Sequence, residues 1–285
     1  MFVEKLRLDG RCVIVAGAGG GGIGTRSVHA MLDAGATVIG VDNDESALAA
    51  VTTEFAGQPF IGVNADVTTD EGIASIVATA QRERGRIDGL VNVIGGTGTV
   101  GWAPTVDYTR EQWRKVMTIN IDYVVFLSQA VARVMIDSGR GGSIVNVAST
   151  SGLTGAPYHA AYGASKAGVV ELTRTMAVEW GRHGIRANVI APGTINTPRA
   201  KPVPPDKRDR VAIPLQRRGE PFELASVALF LISDLSSYVS GQLIPVDGGM
   251  SWKWAHLGID NEPIFVNNDE MRARMGLGPL DRSNG

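Results

Sequence analysis

A tyrosine and a lysine four residues apart are the side chains whose types and spacing could do chemistry together. They stand in the run Tyr162-Gly163-Ala164-Ser165-Lys166. Residues four apart share one face of a helix, so a helix here places the phenol and the ammonium group on the same side. A free phenol has a pKa near 10 and is a poor base at neutral pH, but a nearby cation lowers that pKa. The pair therefore indicates a general acid/base at Tyr162, supported by Lys166.

Two further polar side chains fall where a reacting oxygen could be held. Ser149 follows a predicted strand at 143–147, and ligands of open α/β sheets bind at the carboxyl ends of the strands. Its hydroxyl could therefore hydrogen-bond that oxygen. Asn120 lies within a predicted helix at 111–136, where asparagine is unfavourable unless its amide has a polar role. Asn120, Ser149, Tyr162 and Lys166 form the predicted catalytic set.

A glycine-rich loop follows the first predicted strand and opens a helix. Its sequence is Ala16-Gly17-Ala18-Gly19-Gly20-Gly21-Gly22-Ile23-Gly24. Glycines let the backbone approach a pyrophosphate, whose charge is favoured at a helix N-terminus. Glycines also form ordinary turns, but the position between a strand and a helix favours dinucleotide binding.

An acidic residue at the end of the second predicted strand bears on the choice of cofactor. Asp42 stands eighteen residues after Gly24, where a carboxylate can accept both ribose hydroxyls of adenosine and repel a 2′-phosphate. Gly21 supplies no cation for such a phosphate. We therefore expect NAD rather than NADP. The alternative is that Asp42 only caps or solvates a turn, as Asn43 and Asp44 beside it could.

Two other polar residues follow predicted strands and have two interpretations each. Asp66 could accept a hydrogen bond from the adenine amino group, or it could cap the helix that follows. Asn92 could contact the cofactor, or it could organise a loop. Neither choice is decided by the sequence.

Short β-branched runs alternate with longer segments of helical period from Arg11 to Val246. This alternation predicts an α/β fold, a single doubly wound Rossmann-type domain with a seven-stranded parallel sheet and a C-terminal extension. The predicted strands are 12–16, 37–41, 60–63, 89–93, 143–147, 187–190 and 243–246. The predicted helices include 23–32, 73–84, 111–136, 162–182 and 223–233.

Two segments interrupt this alternation. Residues 198–218 are rich in Pro, Lys and Arg, and the stretch after Gly249 has no clear period. We expect a substrate lid at about 197–218 and an appended arm at 251–285, with residues 1–250 as the NAD-binding catalytic domain. The sequence contains no internal repeat, low-complexity tract or linker that would separate a second domain.

The bulk composition excludes several classes of function. Of the 285 residues, 20% are charged and 44% are hydrophobic, as in an ordinary globular protein. A net charge of −2 with scattered Lys and Arg gives no basic field for nucleic acid or an acidic membrane surface. The N-terminus lacks an apolar signal core, and no stretch approaches the roughly 18 uninterrupted apolar residues of a membrane span. We expect a cytoplasmic protein.

Cysteine and metal chemistry are also not expected. The single cysteine, Cys12, cannot form an internal disulfide, and its neighbours Val13, Ile14 and Val15 indicate a buried hydrophobic position. His, Cys and carboxylate residues do not cluster in a way that suggests a catalytic metal.

Taken together, these motifs resemble those of the short-chain dehydrogenase/reductase family over nearly the whole chain, from the glycine loop to Val246-Asp247-Gly248-Gly249. The resemblance implies that Tyr162 donates or accepts the proton and that Lys166 lowers its pKa and binds the nicotinamide ribose. It implies that Ser149 orients the carbonyl and that Asn120 holds a relay water.

The resemblance also implies the cofactor contacts and a homotetramer. The Ile195 backbone and the Thr197 hydroxyl would hold the carboxamide, in the run Pro192-Gly193-Thr194-Ile195-Asn196-Thr197. Helices starting near 111 and 162 would form one interface and the last strand another. The predicted cofactor residues are Gly17, Gly22, Ile23, Gly24, Asp42, Asp66, Val67, Asn92, Gly95, Tyr162, Lys166, Pro192, Gly193, Ile195 and Thr197.

The chain departs from the family pattern at two places. The glycine loop is one residue longer than Thr-Gly-x-x-x-Gly-Ile-Gly, with Ala16 or Gly17 where threonine is expected. The family's Asn-Asn-Ala-Gly is Asn92-Val93-Ile94-Gly95 here. We expect these two changes to be coupled.

The sequence says less about the substrate. Predicted substrate residues are Gly96, Thr97, Ser151, Tyr158 and His159, and Trp102, Tyr158, Trp252 and Trp254 could form an apolar wall. We expect a bulky hydrophobic or alicyclic secondary alcohol, such as a hydroxysteroid. The alternative is a 3-oxoacyl thioester reductase acting on acyl carrier protein or CoA, which Asp42 disfavours because reductive biosynthesis usually draws on NADPH. A non-catalytic relative would typically lack the tyrosine or the lysine, and a sugar-nucleotide epimerase would need a larger C-terminal domain.

Overall fold

Seven parallel strands form the centre of the protein in the computed structural model, which describes residues 2–97, 102–198, 207–258, 261, 263, 266 and 268–279. The strands are β1 Cys12–Ala16, β2 Thr37–Asp42, β3 Phe60–Asn64, β4 Gly89–Asn92, β5 Gly142–Val147, β6 Ile185–Pro192 and β7 Leu243–Val246. Their order in the sheet is β3-β2-β1-β4-β5-β6-β7, with every neighbouring pair parallel. Strands β1 to β3 are added toward one edge of the sheet and β4 to β7 toward the other, so the strand order reverses between β1 and β4. Such a switch point leaves a crevice at the carboxyl ends of the strands.

Helices cover both faces of the sheet. They are α1 Ile23–Asp33, α2 Glu45–Glu54, α3 Asp70–Arg84, α4 Arg110–Met117, α5 Tyr123–Ser138, α6 Ala160–Trp180, α7 Lys207–Ala212, α8 Pro221–Ile232 and α9 Asp269–Arg274. One apolar cluster joins α3, α5 and α6 to one face, and a second joins α1, α2 and α8 to the other. The predicted fold class is confirmed.

The first strand shows why a continuous apolar run is needed at the centre of this sheet. Cys12, Ile14 and Ala16 point into one cluster while Val13 and Val15 point into the other, and all five are fully buried. Alternate residues of a strand face opposite sides, so a strand covered on both sides has no polar positions. Burial raises the pKa of the Cys12 thiol to about 12, which is the behaviour of a small core residue.

The helix predicted at 111–136 is wrong as a single element. It is divided into α4 and α5 by a π-helical turn at Thr118–Asp122. Asn120 lies in this turn, and its Nδ2 donates to the carbonyl of Val116 at 2.8 Å. Because a π turn inserts one residue into the helical ladder, it redirects the side chain at that point, and such turns are frequent at functional sites.

The other differences lie at element ends and in the helices α2, α7 and α9, which were not predicted. The predicted strand 187–190 extends to Ile185–Pro192, and α6 begins two residues before the predicted 162 and ends at Trp180. Helix α2 was not among the predicted elements, although Asp44 caps it by accepting from the backbone N–H groups of Ser46 and Ala47.

The run Arg110–Ser138 is long and apolar enough, by length and composition alone, to cross a membrane. Within it, Tyr123, Leu127, Val131 and Met135 are buried against the sheet. A core helix of a globular protein passes the same test, and this packing is that of a core helix.

The described parts of the predicted lid and arm contact one another. Helix α7 occupies part of the lid, which the sequence did not indicate, while residues 199–206 lie outside the described residues. In the arm, Asn261 donates from Nδ2 to the carbonyl of Pro214 at 3.0 Å. The backbone N–H of Leu215 also donates to the carbonyl of Gly248 at 3.2 Å. The C-terminal end of the lid therefore contacts both the arm, through Asn261, and the end of the catalytic domain, through Gly248.

A glycine in the first turn of α1 sets how closely that helix approaches the loop before it. A Cβ atom at Gly24 would lie 1.7 Å from the carbonyl oxygen of Gly17. We expect Gly24→Ala to lower the free energy of unfolding by at least about 2 kcal/mol, because backbone rather than a flexible side chain must move. Urea denaturation measures this loss.

Gly181 provides the matched control. Its φ of −55° and ψ of −38° suit any residue, and a Cβ there would meet nothing within 4 Å. Gly181→Ala should be neutral or stabilise by about 0.4–1 kcal/mol. Equal effects of the two substitutions would contradict the close packing at Gly24.

Candidate active site

A cavity of about 400 Å³ opens at the carboxyl edge of the sheet. Residues at the carboxyl ends of β1, β2, β3, β4, β5 and β6 contribute to its wall, as expected at the switch point of a doubly wound sheet. Ser149, Tyr162 and Lys166 all line it. The cavity therefore brings together three of the four predicted catalytic side chains.

The glycine loop forms one end of this cavity and has a defined path despite its extra residue. The backbone N–H groups of Gly17 and Ala18 donate to the carbonyl of Val41, at 2.8 and 2.9 Å. The hydroxyl of Thr25 donates to the carbonyl of Ala18 at 2.7 Å and accepts from the N–H of Gly21 at 3.0 Å. Thr25, which the sequence analysis did not single out, thus fastens both sides of the loop from the first turn of α1.

The two departures from the family pattern meet in space. A Cβ atom at Gly17 would lie 3.0 Å from Cγ1 of Ile94 and 3.3 Å from its backbone nitrogen. A larger residue at position 17 would therefore press on the β4 loop. This contact supports the expected coupling of the two changes, which stays a prediction.

Asp42 lies at the cavity wall beside the glycine loop. One carboxylate oxygen, Oδ2, accepts from the N–H of Gly19 at 2.9 Å, and Oδ1 accepts from the N–H of Asp44 at 3.1 Å. Among the described residues that line the cavity, Asp42 and Asp66 are the only carboxylates and Lys166 is the only cation. Among the residues that the structure describes, this end of the cavity is therefore acidic and carries no cation beside Asp42.

The ammonium group of Lys166 is buried at the inner wall. Its Nζ donates to the carbonyl of Val147 at 2.8 Å and lies 5.7 Å from the centre of the Tyr162 ring. Burial lowers the pKa of Lys166 to about 8, because a charged group loses its hydration in the protein interior.

Two effects on the pKa of Tyr162 oppose each other. Burial raises the pKa above its ordinary value, and a hydrogen bond with Ser149 lowers it in part. The lowering of this pKa by Lys166, which the family resemblance implies, stays a prediction.

Asn120 does not line the cavity but holds the loop after β4. Its Nδ2 donates to the carbonyl of Gly96 at 2.6 Å, and its Oδ1 accepts from the N–H of the same residue at 2.9 Å. A Cβ atom at Gly95 would lie 2.7 Å from Nζ of Lys166 and 2.8 Å from Oδ1 of Asn120. Asn120 therefore fixes the loop that closes over Lys166.

The structure does not bring Asn92 to the cavity, contrary to its place among the predicted cofactor residues. Its side chain is fully buried, and Nδ2 donates to Oδ1 of Asn146 at 2.8 Å and to Oγ of Ser128 at 3.1 Å. Asn146 then donates to Oγ1 of Thr173 at 2.9 Å. Asn92 thus organises polar contacts between β4, β5 and the helices behind them.

Asp66 lines the cavity, but it is not the cap of α3. Thr69 is the cap, accepting from the N–H of Gly72 at 3.0 Å, while Asp66 accepts from the N–H and hydroxyl of Thr68. The alternative that Asp66 caps the helix is wrong.

The remaining predicted cofactor residues all line the cavity. They are Gly17, Gly22, Ile23, Gly24, Asp42, Asp66, Val67, Gly95, Tyr162, Lys166, Pro192, Gly193, Ile195 and Thr197. The lining residues that the sequence analysis missed all lie within two positions of a predicted cofactor or catalytic residue along the chain. They include Gly19, Gly20, Asn43, Ala65, Thr68, Val93, Ile94, Ile119, Val147, Ala148 and Pro198. Adjacency to a strand end was the available signal.

The predicted substrate residues lie around the cavity rather than in its wall. Gly96, Thr97, Ser151, Tyr158 and His159 are absent from the described lining. The backbone N–H of Ser151 donates to Oγ of Ser149 at 3.1 Å. The imidazole of His159 stacks on the Tyr162 ring. Within the described residues, no group of three or more His, Cys, Asp or Glu side chains could hold a metal ion.

Known proteins resemble this chain over most of its length. The family model described as enoyl-(acyl carrier protein) reductase matches residues 17–251. A 3-oxoacyl-[acyl-carrier-protein] reductase from Thermotoga maritima is 39% identical over 252 residues, which cover 86% of this chain and 99% of the relative. A 2-dehydro-3-deoxy-D-gluconate 5-dehydrogenase from Dickeya dadantii is 34% identical, with 87% and 98% covered.

A solved structure gives the same comparison in three dimensions. It is a 7α-hydroxysteroid dehydrogenase complexed with NADH and 7-oxo glycochenodeoxycholic acid. It has a TM-score of 0.80 and 34% sequence identity, and the match covers 87% of this chain and 96% of that one.

Burial of the Lys166 ammonium predicts a pH dependence of stability. Its pKa is 10.5 when unperturbed and about 8 in the folded chain, so between these values the unfolded state binds more protons. The free energy of unfolding therefore gains a contribution that rises with pH from about 8 to 10.5. Urea denaturation should show that the free energy of unfolding rises from pH 7 to pH 10 by on the order of 2 kcal/mol more in the wild type than in Lys166→Met.

Lys115→Met is the control, because this lysine is exposed and pairs only with Glu111 at the surface. In Lys115→Met, the change in the free energy of unfolding between pH 7 and pH 10 should stay within about 0.5 kcal/mol of the wild-type change. A Lys166→Met variant with the same pH dependence as the wild type would contradict the buried ammonium.

Proposed function

This chain belongs to the short-chain dehydrogenase/reductase family, whose members oxidise alcohols and reduce ketones, and on that premise we propose that it is an NAD-dependent secondary-alcohol dehydrogenase. The observation that carries the proposal is the convergence of Ser149, Tyr162 and Lys166 on the cavity that also contains Asp42. One cavity then holds a general acid/base at Tyr162, a hydroxyl at Ser149 that can bind the reacting oxygen, and a carboxylate at Asp42 for the adenosine of the cofactor.

The described residues fit a dinucleotide. At the glycine loop and at Gly95 the cavity wall is formed by backbone without side chains. Cβ atoms at Gly24 and Gly95 would clash with a carbonyl oxygen and with Lys166, respectively. The loop and the N-terminus of α1 would hold the pyrophosphate, Asp42 the adenosine ribose, and the residues from Pro192 to Thr197 the nicotinamide. The bound nicotinamide would supply the hydride acceptor or donor.

The protein's own residues handle the proton. In the direction of oxidation, the phenolate form of Tyr162 takes the proton of the substrate hydroxyl at its Oη while the carbinol carbon loses hydride to the nicotinamide. Ser149 hydrogen-bonds the same oxygen and stabilises the charge on it. Lys166, one helical turn after Tyr162, provides positive charge at the inner wall, and Asn120 holds the Gly96 loop in place beside it.

We favour a bulky hydrophobic or alicyclic alcohol, such as a hydroxysteroid, as the substrate. The alternative is a 3-oxoacyl thioester reductase, which is favoured by the identity of 39% to a reductase of that kind. The acidic end of the cavity around Asp42 supports NAD and so supports the dehydrogenase. Cofactor preference separates the two candidates.

The organisation of the protein is also a proposal. We infer a catalytic domain at 1–250, a substrate lid at about 197–218 and an arm at 251–285, because the family model ends at residue 251. We infer a cytoplasmic homotetramer, supported by the exposed side chains of Phe126 on α5 and Val178 on α6. A monomeric mass in sedimentation equilibrium would refute the tetramer.

Removing one hydroxyl tests the acid/base. Tyr162→Phe should lower kcat for NAD-linked alcohol oxidation by about 100- to 10,000-fold, the range that a general acid/base contributes. The dissociation constant for NADH, measured by fluorescence titration, should change less than threefold. Tyr238→Phe is the control, because Tyr238 is fully exposed. Undiminished turnover by Tyr162→Phe would exclude this mechanism.

A single carboxylate tests the cofactor. The wild type should bind NADH at least tenfold more tightly than NADPH. Asp42→Asn should reduce this ratio of dissociation constants by about tenfold, because it removes the negative charge that repels the 2′-phosphate. Asp44→Asn is the matched control, since Asp44 caps α2 and does not line the cavity. A wild-type preference for NADPH would overturn the dehydrogenase and favour the thioester reductase.

A further inference from the structure

Three flat side chains form a continuous stack that begins at the catalytic tyrosine. The ring of His159 lies 4.4 Å from that of Tyr162, centre to centre, with an angle of 18° between their planes. The indole of Trp102 lies 3.8 Å from the other face of His159, at 19°. The stack therefore extends from the reacting phenol to a ring on the protein surface.

Backbone contacts on both sides hold this stack in place. The N–H of Ala103 donates to the carbonyl of Tyr158 at 3.0 Å, which joins the loop after β4 to the loop before α6. Tyr158 has a φ of +62°, a left-handed conformation that is unfavourable for tyrosine. Strain of this kind persists where the surrounding structure requires it, and it is concentrated at functional sites. Here it directs the next residue, His159, onto Tyr162.

His159 acts in this stack as a flat ring. Its side chain is nine-tenths buried, and within the described part of the chain its Nε2 has no hydrogen-bond partner. Burial lowers the pKa of His159, which favours its uncharged form. The imidazole stacks on both the Trp102 and the Tyr162 rings.

Trp102 is the outer member and is 65% exposed. Its ring therefore offers a large, flat apolar face that a ligand could cover. The substrate must reach the oxygen-binding groups Ser149 and Tyr162, and Trp102 stands on the same stack as Tyr162. A rigid ring covers such a surface without loss of internal freedom, whereas an open chain must be ordered along it.

We propose that Trp102 and His159 determine substrate specificity by selecting secondary alcohols whose carbinol carbon belongs to or adjoins a ring. The substrate ring lies against the exposed indole of Trp102, and His159 is a positioning residue that keeps the indole parallel to the phenol. This inference rests on the proposed dehydrogenase function and adds the part of the substrate that the protein recognises.

Two alcohols with ten carbons test the proposal, the bicyclic decahydro-1-naphthol and the open-chain 2-decanol, each oxidised with NAD. Trp102→Ala should raise KM for the bicyclic alcohol about tenfold and KM for 2-decanol less than twofold, with kcat little changed for both. Trp102→Phe should retain most of the discrimination. If Trp102→Ala raises KM equally for both alcohols, the stack only supports Tyr162 and the proposal is overturned. An unchanged KM for both alcohols would overturn it as well.

Two variants of His159 distinguish a role of its ring in stacking from a role of its imidazole nitrogens. His159→Phe keeps a flat ring and should retain the discrimination within twofold, whereas His159→Ala should lose it as Trp102→Ala does. If His159→Phe loses as much as His159→Ala, the stacking role is refuted.

Controls distinguish this inference from the function on which it rests. Tyr238→Ala, a change of an exposed aromatic residue outside the stack and the cavity, should leave both KM values unchanged. Loss of discrimination in Trp252→Ala, at a residue of the predicted apolar wall, would place the recognition surface on the arm and overturn the proposal. If the wild type binds NADH but oxidises neither alcohol, the ring preference is overturned while the dehydrogenase function stands. If it also fails to bind NADH, the proposed function falls and this inference falls with it.

Discussion

The buried ammonium group at the carboxyl end of β5 constrains the rest of the active site. Lys166 has three donors, and the carbonyl of Val147 accepts from Nζ at 2.8 Å. A buried charge is costly unless it is well compensated, and its depressed pKa of about 8 reflects that cost. The neighbours must therefore be small or polar. A Cβ atom at Gly95 would lie 2.7 Å from Nζ and 2.8 Å from Oδ1 of Asn120, so a side chain at this position would displace one of them.

The fold positions this group through features far from one another along the chain. The π-helical turn between α4 and α5 turns Asn120 toward the loop after β4, and the reciprocal hydrogen bonds with Gly96 fix that loop. Helix α6 supplies Tyr162 and Lys166 from consecutive turns, and β5 supplies both Val147 and the start of the Ser149 loop. Parallel strands make this possible, because all of their carboxyl ends meet at one edge.

How much of this arrangement could be predicted depends on whether the contacts are local in sequence. The strands, the glycine loop and the Tyr162–Lys166 pair all follow from periodicity or short spacing. The contact of Asn92 with Asn146 does not, because it depends on the register of β4 and β5, which pairs these two residues directly. The same holds for the stack of Trp102 on His159, since residues in two loops meet only after both strands are in place.

The site therefore has two parts with different constraints. The proposed cofactor side is built from strand ends and glycines whose packing tolerates little change, which is why its residues could be named from motifs. The proposed substrate side is built from loops after β4 and before α6, where loops vary without disturbing the sheet. Similar proteins are named for an acyl-carrier-protein thioester, a sugar acid and a steroid, so the shared fold carries the reaction type and not the substrate. Evidence on the substrate must come from residues of these loops such as His159, which stacks on Tyr162, and Trp102, which stacks on His159.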